Sequence, residues 1–176
     1  DGFEVAVRAV LGQQVTVAAA TTFARRLVDA WGAHLPGMPA EFDRQFPAPE
    51  VLAEAPLESI GLPRTRAATV RALAAACASG ELDFGPGQAL EDFVARCVAL
   101  PGIGPWTAQY IALRGLGQPD AFPAGDLVLQ QVLGHAQGQR LSERATEARS
   151  QPWRPWRAYA VLHLWHLSGT FVGEPT

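Results

Sequence analysis

Apolar residues recur every three or four positions along most of this chain, which is the spacing of one face of an α-helix. Runs of β-branched residues that alternate with polar ones, as in strands, are missing. One predicted helical face consists of Phe3, Val7, Val10 and Leu11, and a second of Val17, Thr21, Ala24, Leu27, Val28 and Trp31. Helices are predicted at about 3–11, 17–31, 49–55, 56–61, 64–79, 88–99, 106–115, 126–134, 142–149 and 153–168.

Glycine and proline mark where these helices are expected to stop. Gly12-Gln13-Gln14 separates the first two helices, residues 32–49 form a long connector, and a loop runs through Gly85-Pro86-Gly87. With 176 residues and 48% hydrophobic content, the chain can bury the core of one or two small domains. The pattern predicts an all-α bundle of short helices.

The composition argues against several classes of protein. No apolar run approaches the roughly 20 residues that span a bilayer. Cys77 and Cys97 are isolated within predicted helices, so they are interpreted as core thiols and not as a metal site. The histidines are scattered and do not have the spacing of zinc ligands: His34, His135, His163 and His166. We expect a soluble, intracellular protein.

The formal net charge of −3 argues against a nucleic-acid partner that is held by diffuse electrostatics. All 14 basic residues are arginine, since the chain contains no lysine. A helix N-terminus offers another way to bind phosphate, because its first N–H groups lack internal partners and carry the positive end of the helix dipole. The charge therefore does not exclude DNA.

Residues 100–108, Leu-Pro-Gly-Ile-Gly-Pro-Trp-Thr-Ala, are predicted to join two helices through a glycine turn. Gly102 and Gly104 permit a positive φ and the close approach of another backbone. With Thr107 at the start of the next helix, they form a candidate phosphate site. Gly-x-Gly alone is also typical of an ordinary helix–helix turn, but the full string favours function. The carbonyls expected to hold a monovalent cation, Na⁺ or K⁺, beside the phosphate are those of Val98, Leu100 and Ile103.

This string resembles the helix-hairpin-helix of the DNA glycosylase superfamily whose members also carry a glycine- and proline-rich loop and an aspartate. Within it, the chain resembles the bacterial 3-methyladenine DNA glycosylase II branch. The resemblance extends from about Phe3 to Trp165. Besides the hairpin, it rests on Val10-Leu11-Gly12-Gln13, Gly61-Leu62-Pro63, Tyr110-Ile111-Ala112-Leu113-Arg114-Gly115, Trp153-Arg154-Pro155-Trp156-Arg157-Ala158-Tyr159-Ala160 and Leu162-His163-Leu164-Trp165.

The resemblance implies a helix-hairpin-helix DNA glycosylase bundle over residues 1–176, as one core or as two helical subdomains. The β-rich N-terminal domain usual in the family is expected to be absent. The implied partner is double-stranded DNA with a damaged base, bound by a monomer that requires no cofactor. The implied location is the bacterial cytoplasm, in association with the nucleoid.

Asp126 falls where the family has its catalytic aspartate. Cleavage of an N-glycosidic bond builds positive charge on the sugar, which a nearby carboxylate in a dry site can stabilise. The same carboxylate can also assist the attack of water. Asp126 follows the turn at Pro123-Ala124-Gly125 and begins a predicted helix, so its spacing alone indicates an N-cap. Both roles can hold at once.

Residue counts argue against two other branches of the superfamily. Members that also cut the DNA backbone use a lysine amine to form a Schiff base, and that lysine falls at Trp106. This chain has no lysine at any position, which excludes a lysine-dependent lyase step. Iron–sulfur relatives need four cysteines, whereas this chain has two.

An enzyme that removes a base must hold it outside the base stack, against aromatic walls. Trp106 and Tyr110 share one face of a helix, and Trp165 falls at the base-stacking tryptophan of the family. Aromatic faces attract cations, which suits a positively charged alkylated purine. The other tryptophans, Trp31, Trp153 and Trp156, are interpreted as core residues.

Some positions keep alternative interpretations. Gln14 matches the residue that the family inserts into the DNA as a wedge, which is often leucine, so this chain departs from the pattern. His166 replaces a position that is often aromatic, and it either lines the pocket or is a partly exposed histidine. For three arginines, phosphate contacts and solvated helix faces are equally good explanations: Arg64, Arg66 and Arg114.

The leading functional hypothesis is a monofunctional glycosylase that hydrolyses the N-glycosidic bond of alkylated purines, of the 3-methyladenine type, in base excision repair. One alternative is a non-catalytic helix-hairpin-helix module that docks a partner on DNA. Another is a glycosylase for deaminated or oxidised bases.

Overall fold

The computed structural model describes residues 1–39 and 42–171, and these are almost entirely helical. The α-helices are α1 (Gly2–Leu11), α2 (Val17–Trp31), α3 (Pro49–Glu54), α4 (Arg64–Ala78), α5 (Leu90–Ala99), α6 (Pro105–Arg114), α7 (Leu127–Gly134), α8 (Glu143–Ser150) and α9 (Arg157–Phe171). Short 3₁₀ turns cover Leu57–Ile60, His135–Gln137 and Gln151–Trp153. The predicted all-α class is confirmed.

The structure differs from the predicted elements in three places. The connector contains a two-stranded antiparallel pair, β1 (Ala33–His34) and β2 (Arg44–Gln45), in which Ala33 lies opposite Gln45. The short helix predicted at 56–61 is present as a 3₁₀ helix, Leu57–Ile60, and not as an α-helix. The last helix does not begin at residue 153, because Arg154 precedes a proline and is held in an extended conformation with ψ of 142°.

The core lies around α1, which packs against α2, α4 and α6. Val7, Val10 and Leu11 of α1 are fully buried, as predicted. Facing them, α6 buries Ala108 and Ala112, whose small side chains let the two helices come close together. This packing brings the C-terminal end of α1 beside the N-terminal end of α6.

Burial corrects several interpretations of apolar residues. In α2, Ala24 and Leu27 are buried as expected, but Val17, in the first turn, is 84% exposed. Trp156 is not a core residue, because it lies just ahead of α9 with 58% of its surface exposed and contacts the ring of Tyr159. The exposed residues of the predicted α2 face also include Thr21, whereas Trp31 and Trp153 pack partly buried against the core.

The two cysteines are core thiols to different degrees. Cys97 is fully buried and Cys77 is half-buried. Burial raises the pKa of the Cys97 thiol to about 12 and that of Cys77 to about 11. Both therefore stay protonated near neutral pH, and the nucleophilic thiolate is scarce. In the ranges that the structure describes, no helix is long and apolar enough to cross a membrane.

A buried ion-pair network fixes the segment between α6 and α7 that leads to Asp126. Arg157, which is 3% exposed, donates from Nε and Nη2 to the two carboxylate oxygens of Asp120 at 2.7 and 2.9 Å. Its Nη1 donates to Glu147 at 2.8 Å, and its guanidinium lies 5.8 Å from the ring centroid of Phe122. One side chain thus connects α9 to α8 and to the loop ahead of Asp126.

Arg157→Met is expected to lower the free energy of unfolding by about 3 kcal/mol, because it removes the buried partner of Asp120 and Glu147 and leaves Asp120 only the exposed Arg154. Urea unfolding followed by circular dichroism measures the loss. The control is Arg8→Met, which removes an exposed pair with Glu4 and should cost less than about 0.5 kcal/mol. Equal losses for the two variants would contradict the structural role of Arg157.

Candidate active site

Asp126 is the N-cap of α7, and only 9% of its surface is exposed. Its Oδ1 accepts hydrogen bonds from the amides of Val128 at 2.9 Å and Leu129 at 3.0 Å. The indole N–H of Trp106 donates to Oδ2 at 3.0 Å, and that of Trp165 donates to Oδ1 at 3.4 Å. Four N–H groups therefore converge on one carboxylate, which lies at the positive end of the α7 dipole.

The segment that carries Asp126 is also held by two glutamines. Gln109 of α6 accepts the amide N–H of Phe122 on its Oε1 at 3.0 Å. Gln130 of α7 donates from Nε2 to the carbonyl of Ala124 at 3.1 Å. Sequence reasoning missed both glutamines, since a single polar residue on a helix carries no pattern that predicts its partner.

The three residues predicted to form a base pocket come together around this carboxylate. Trp106 and Tyr110 stack with ring centroids 5.4 Å apart and an angle of 19° between their planes. Trp165 also contacts Tyr110, with a centroid distance of 6.1 Å and an angle of 46° between the ring planes. Trp106 is 36% exposed, so one end of this aromatic cluster is open to solvent. The geometry brings the predicted residues together, and their role toward a base stays a prediction.

A cavity of about 350 Å³ lies between α1 and α6, against the same aromatic cluster. Two arginines reach it. Arg8 is paired with Glu4 at 2.7 Å, whereas Arg114 makes no hydrogen bond or ion pair with residues 1–39 and 42–171. Arg114 is exposed and also lines this cavity, so it does not belong only to a solvated helix face. The residues that line the cavity are Val5, Arg8, Ala9, Gly12, Trp106, Tyr110 and Arg114.

The helix hairpin, residues 100–104, joins α5 to α6. Ile103 is buried, and its amide donates to the carbonyl of Leu100 at 3.2 Å, so the turn is anchored in the core. Gly102 has a φ of +82°, as expected for a glycine turn. The expectation of positive φ is wrong for Gly104, whose φ of −89° is the extended conformation usual at an N-cap.

The start of α6 presents amide groups ahead of its first internal hydrogen bond, which runs from the amide of Ala108 to the carbonyl of Gly104 at 3.0 Å. Gly104 is exposed and provides no capping side chain. The side chain of Thr107 is turned inward, because the residue is 4% exposed and its Oγ1 accepts from Gln13. Any contribution of Thr107 to a phosphate site therefore comes from its main chain.

The turn at residues 12–16, here called the wedge turn, links α1 to α2. Gln14 is exposed there and has a φ of 54°, which is uncommon for a residue other than glycine. Its neighbour Gln13 reaches across to the helix hairpin, a contact that sequence reasoning missed because it joins residues far apart in the chain. A cavity of about 500 Å³ lies between the wedge turn, the start of α4 and the hairpin, and its lining includes Gln14, Arg66 and Gly102.

The remaining candidates are placed as follows. Arg64 and His166 are exposed, and Arg66 is half-buried. The carbonyl of Leu100 accepts the Ile103 amide, which leaves it one lone pair for a further partner. Within the described residues, no group of three or more His, Cys, Asp or Glu side chains is placed to hold a metal ion.

Comparison with known proteins identifies the fold. The family model described as HhH-GPD superfamily base excision DNA repair protein matches residues 7–158. The solved structure of the Schizosaccharomyces pombe 3-methyladenine DNA glycosylase Mag1, in complex with abasic DNA, is similar with a TM-score of 0.75 and 23% identity. The match covers 96% of this chain and 81% of that one. At this identity, the likeness shows the fold alone.

Two curated relatives match most of this chain. A Mycobacterium tuberculosis protein named "Probable bifunctional transcriptional activator/DNA repair enzyme AlkA" is 44% identical over 94% of this chain and 33% of its own length. DNA-3-methyladenine glycosylase 2 of Escherichia coli is 37% identical over 96% of this chain and 58% of its own length. The chain therefore spans between a third and somewhat over half of these relatives.

The two hairpin glycines should respond differently to substitution. Gly102→Ala should lower the free energy of unfolding by about 2 kcal/mol, because alanine is strained at positive φ. A Cβ there would also lie 2.1 Å from Oγ1 of Thr69. Gly104→Ala should change stability by less than about 0.5 kcal/mol, since its φ suits any residue and nothing lies within 4 Å of the added Cβ. Urea unfolding of the two variants in parallel checks this, and equal losses would refute it.

Proposed function

Because the chain belongs to the HhH-GPD superfamily of base excision DNA repair proteins, we propose that it is a monofunctional DNA glycosylase for alkylated purines of the 3-methyladenine type. The observation that carries the proposal is the Asp126 carboxylate, held by four N–H groups beside the Trp106–Tyr110–Trp165 cluster. A relative that is 37% identical to this chain over the matched region is named DNA-3-methyladenine glycosylase 2, which supports the substrate class.

In the proposed reaction the damaged nucleotide leaves the duplex and its base stacks on the aromatic cluster. The bond between C1′ of the sugar and the base nitrogen breaks, and the base departs with the electron pair. Asp126 stabilises the positive charge that develops on the sugar. Water then adds to C1′ and releases its proton, which leaves an abasic site in an intact strand.

Binding of double-stranded DNA by a monomer is proposed to use the hairpin and the wedge turn. Amides at Gly102, Gly104 and Thr107 would seat a backbone phosphate, and Gln14 would fill the space left by the flipped nucleotide. A Na⁺ or K⁺ ion bound by the carbonyls of Val98, Leu100 and Ile103 would support the phosphate. From this proposed site we expect DNA binding to weaken when tetramethylammonium replaces Na⁺ and K⁺ at constant ionic strength.

A glycosylase for deaminated bases is the second candidate, and Arg114 favours it. This residue is exposed, has no ion-pair partner within the described ranges and lines the cavity beside Trp106 and Tyr110, where its charge would repel a cationic base. The same group can donate hydrogen bonds to a carbonyl oxygen, such as that of hypoxanthine. The two candidates differ in the charge of the base that the pocket prefers.

Asp126→Asn should reduce base release from methylated DNA by at least roughly a hundredfold, because it removes the charge that stabilises the transition state. Asparagine can keep the N-cap bonds to Val128 and Leu129 through Oδ1, but its Nδ2 faces the indole N–H of Trp106, so we expect a modest fall in the melting temperature without loss of the fold. Chromatography of the released bases measures the rate, with the exposed Asp92→Asn as the matched control. Substantial activity in a folded Asp126→Asn protein would rule out the catalytic role.

The product strand should remain uncut, and borohydride should trap no covalent adduct between protein and DNA. The chain has no lysine to form a Schiff base, and Trp106 stands where lyases carry theirs. The assay uses a labelled duplex with one alkylated base, with an N-terminally acetylated sample to exclude the terminal amine. A trapped adduct in the acetylated sample would contradict the monofunctional assignment.

Arg114→Met should raise the rate on N3-methyladenine relative to that on hypoxanthine, because the long side chain is kept and the cation is removed. Single-turnover rates on two duplexes that differ only in the lesion provide the ratio. Arg64→Met, at an exposed position outside this cavity, is the control. An unchanged ratio would show that Arg114 does not select the base and would leave the alkylated-purine reading as the better one.

A further inference from the structure

We propose that Gln13 is a positioning residue that couples the wedge turn to the helix hairpin. A duplex phosphate seated on the hairpin would then fix where Gln14 enters the DNA. The inference rests on the proposed function, since it takes the hairpin and Gln14 as DNA-binding groups. It adds a mechanical link between them that neither group provides alone.

The side chain of Gln13 spans the gap between the two elements. Its Nε2 donates to the carbonyl of Gly102 at 3.1 Å and to Oγ1 of Thr107 at 3.1 Å, across 89 and 94 residues of sequence. A carbonyl can only accept, so the amide nitrogen of Gln13 must face the hairpin. Residues of similar length without two N–H donors cannot make this bridge.

The main chain of Gln13 is held from a third element. Arg66 of α4 donates from Nη2 to the Gln13 carbonyl at 2.6 Å. The same helix supports the hairpin, because Thr69 lies so close to Gly102 that no Cβ fits between them. The wedge turn, the start of α4 and the hairpin thus meet at one residue.

No other hydrogen bond shares this task. Within residues 1–39 and 42–171, every hydrogen bond that ties the turn at 12–16 to an element other than α1 and α2 involves Gln13. The remaining bonds are local, such as those from the Gly12 amide to Arg8 and from the Ala19 amide to Thr16. Without the Gln13 side chain, the turn keeps its local bonds and the one from Arg66 but loses its link to the hairpin.

The hairpin has independent support. Ile103 anchors it in the core, and α5 packs against α6 on either side of it. Loss of the Gln13 side-chain bonds should therefore leave phosphate binding intact and loosen the wedge turn. That asymmetry separates coupling from a general structural role, which would weaken both together.

The test compares the wild type with Gln13→Met, which keeps the length of the side chain and removes its donors. Gln151→Met is the matched control, because the side chain of Gln151 is exposed and bonds only to Glu147, four residues earlier in the chain. Hydrogen exchange is measured by mass spectrometry, without DNA and with an intact duplex. Equilibrium affinities are measured for the intact duplex and for one with a tetrahydrofuran abasic analogue.

In the wild type and in Gln151→Met, the intact duplex should slow exchange in both the hairpin and the wedge turn. In Gln13→Met it should slow exchange in the hairpin only. Affinity for the abasic analogue should fall about tenfold, whereas affinity for the intact duplex should fall less than about twofold. The losses of affinity for the abasic analogue caused by Gln13→Met and by Thr107→Val should be less than additive in the double variant, because both substitutions remove the bond between Gln13 and Thr107.

Unchanged protection of the wedge turn in Gln13→Met would overturn the coupling alone. Equal losses of affinity for the two duplexes would also overturn it, since they indicate a general structural role. A wild-type hairpin that gains no protection from DNA would overturn the proposed DNA-binding surface together with the coupling. If Gln13→Met lowers stability, the double variant still decides the question, because Thr107→Val removes the bond between Gln13 and Thr107 without changing Gln13. Fully additive losses of affinity would overturn the coupling.

Discussion

The burial of one carboxylate organises the centre of this molecule. A carboxylate withdrawn from water is costly unless N–H donors replace the lost solvent. Asp126 receives two such donors from the first turn of α7 and two from indoles on α6 and α9. The same four bonds therefore set the position of the helix start and of both tryptophans, so the aromatic cluster and the carboxylate form one unit.

That unit depends on contacts at some distance from it. Arg157 holds Asp120, and Gln109 and Gln130 hold the backbone on the way to Asp126, so the loop has little freedom where it meets the carboxylate. A loop fixed in this way can present charge in a defined direction without reorganising during the reaction. The N-cap that sequence spacing indicated at Asp126 is therefore real, and it is compatible with the catalytic role that we propose.

Local patterns predicted the helices and most of the buried faces, because apolar spacing reports directly on which side of a helix meets the core. They failed where a contact joins distant parts of the chain or where position along an element decides exposure. Gln13 bonds to Gly102 across 89 residues, and no local pattern encodes that pairing. Trp156 and Val17 are apolar but lie at or ahead of helix starts, beyond the reach of the core. The φ of Gly104 could not be predicted from the sequence, because it depends on the position of this residue as the N-cap of α6.

Main-chain amides at the hairpin, and not arginines, explain how a chain with a net charge of −3 can bind the proposed partner. Several arginines are engaged in contacts within the chain: Arg157 and Arg71 pair with carboxylates, and Arg66 donates to the Gln13 carbonyl. What remains at the hairpin is a set of amides whose direction is fixed by the fold. Binding through such amides depends on the geometry of the phosphate more than on diffuse charge. The proposed link through Gln13 matters for such binding, because phosphate bound by the hairpin amides positions Gln14 in the DNA only if the wedge turn is held in a fixed position relative to the hairpin.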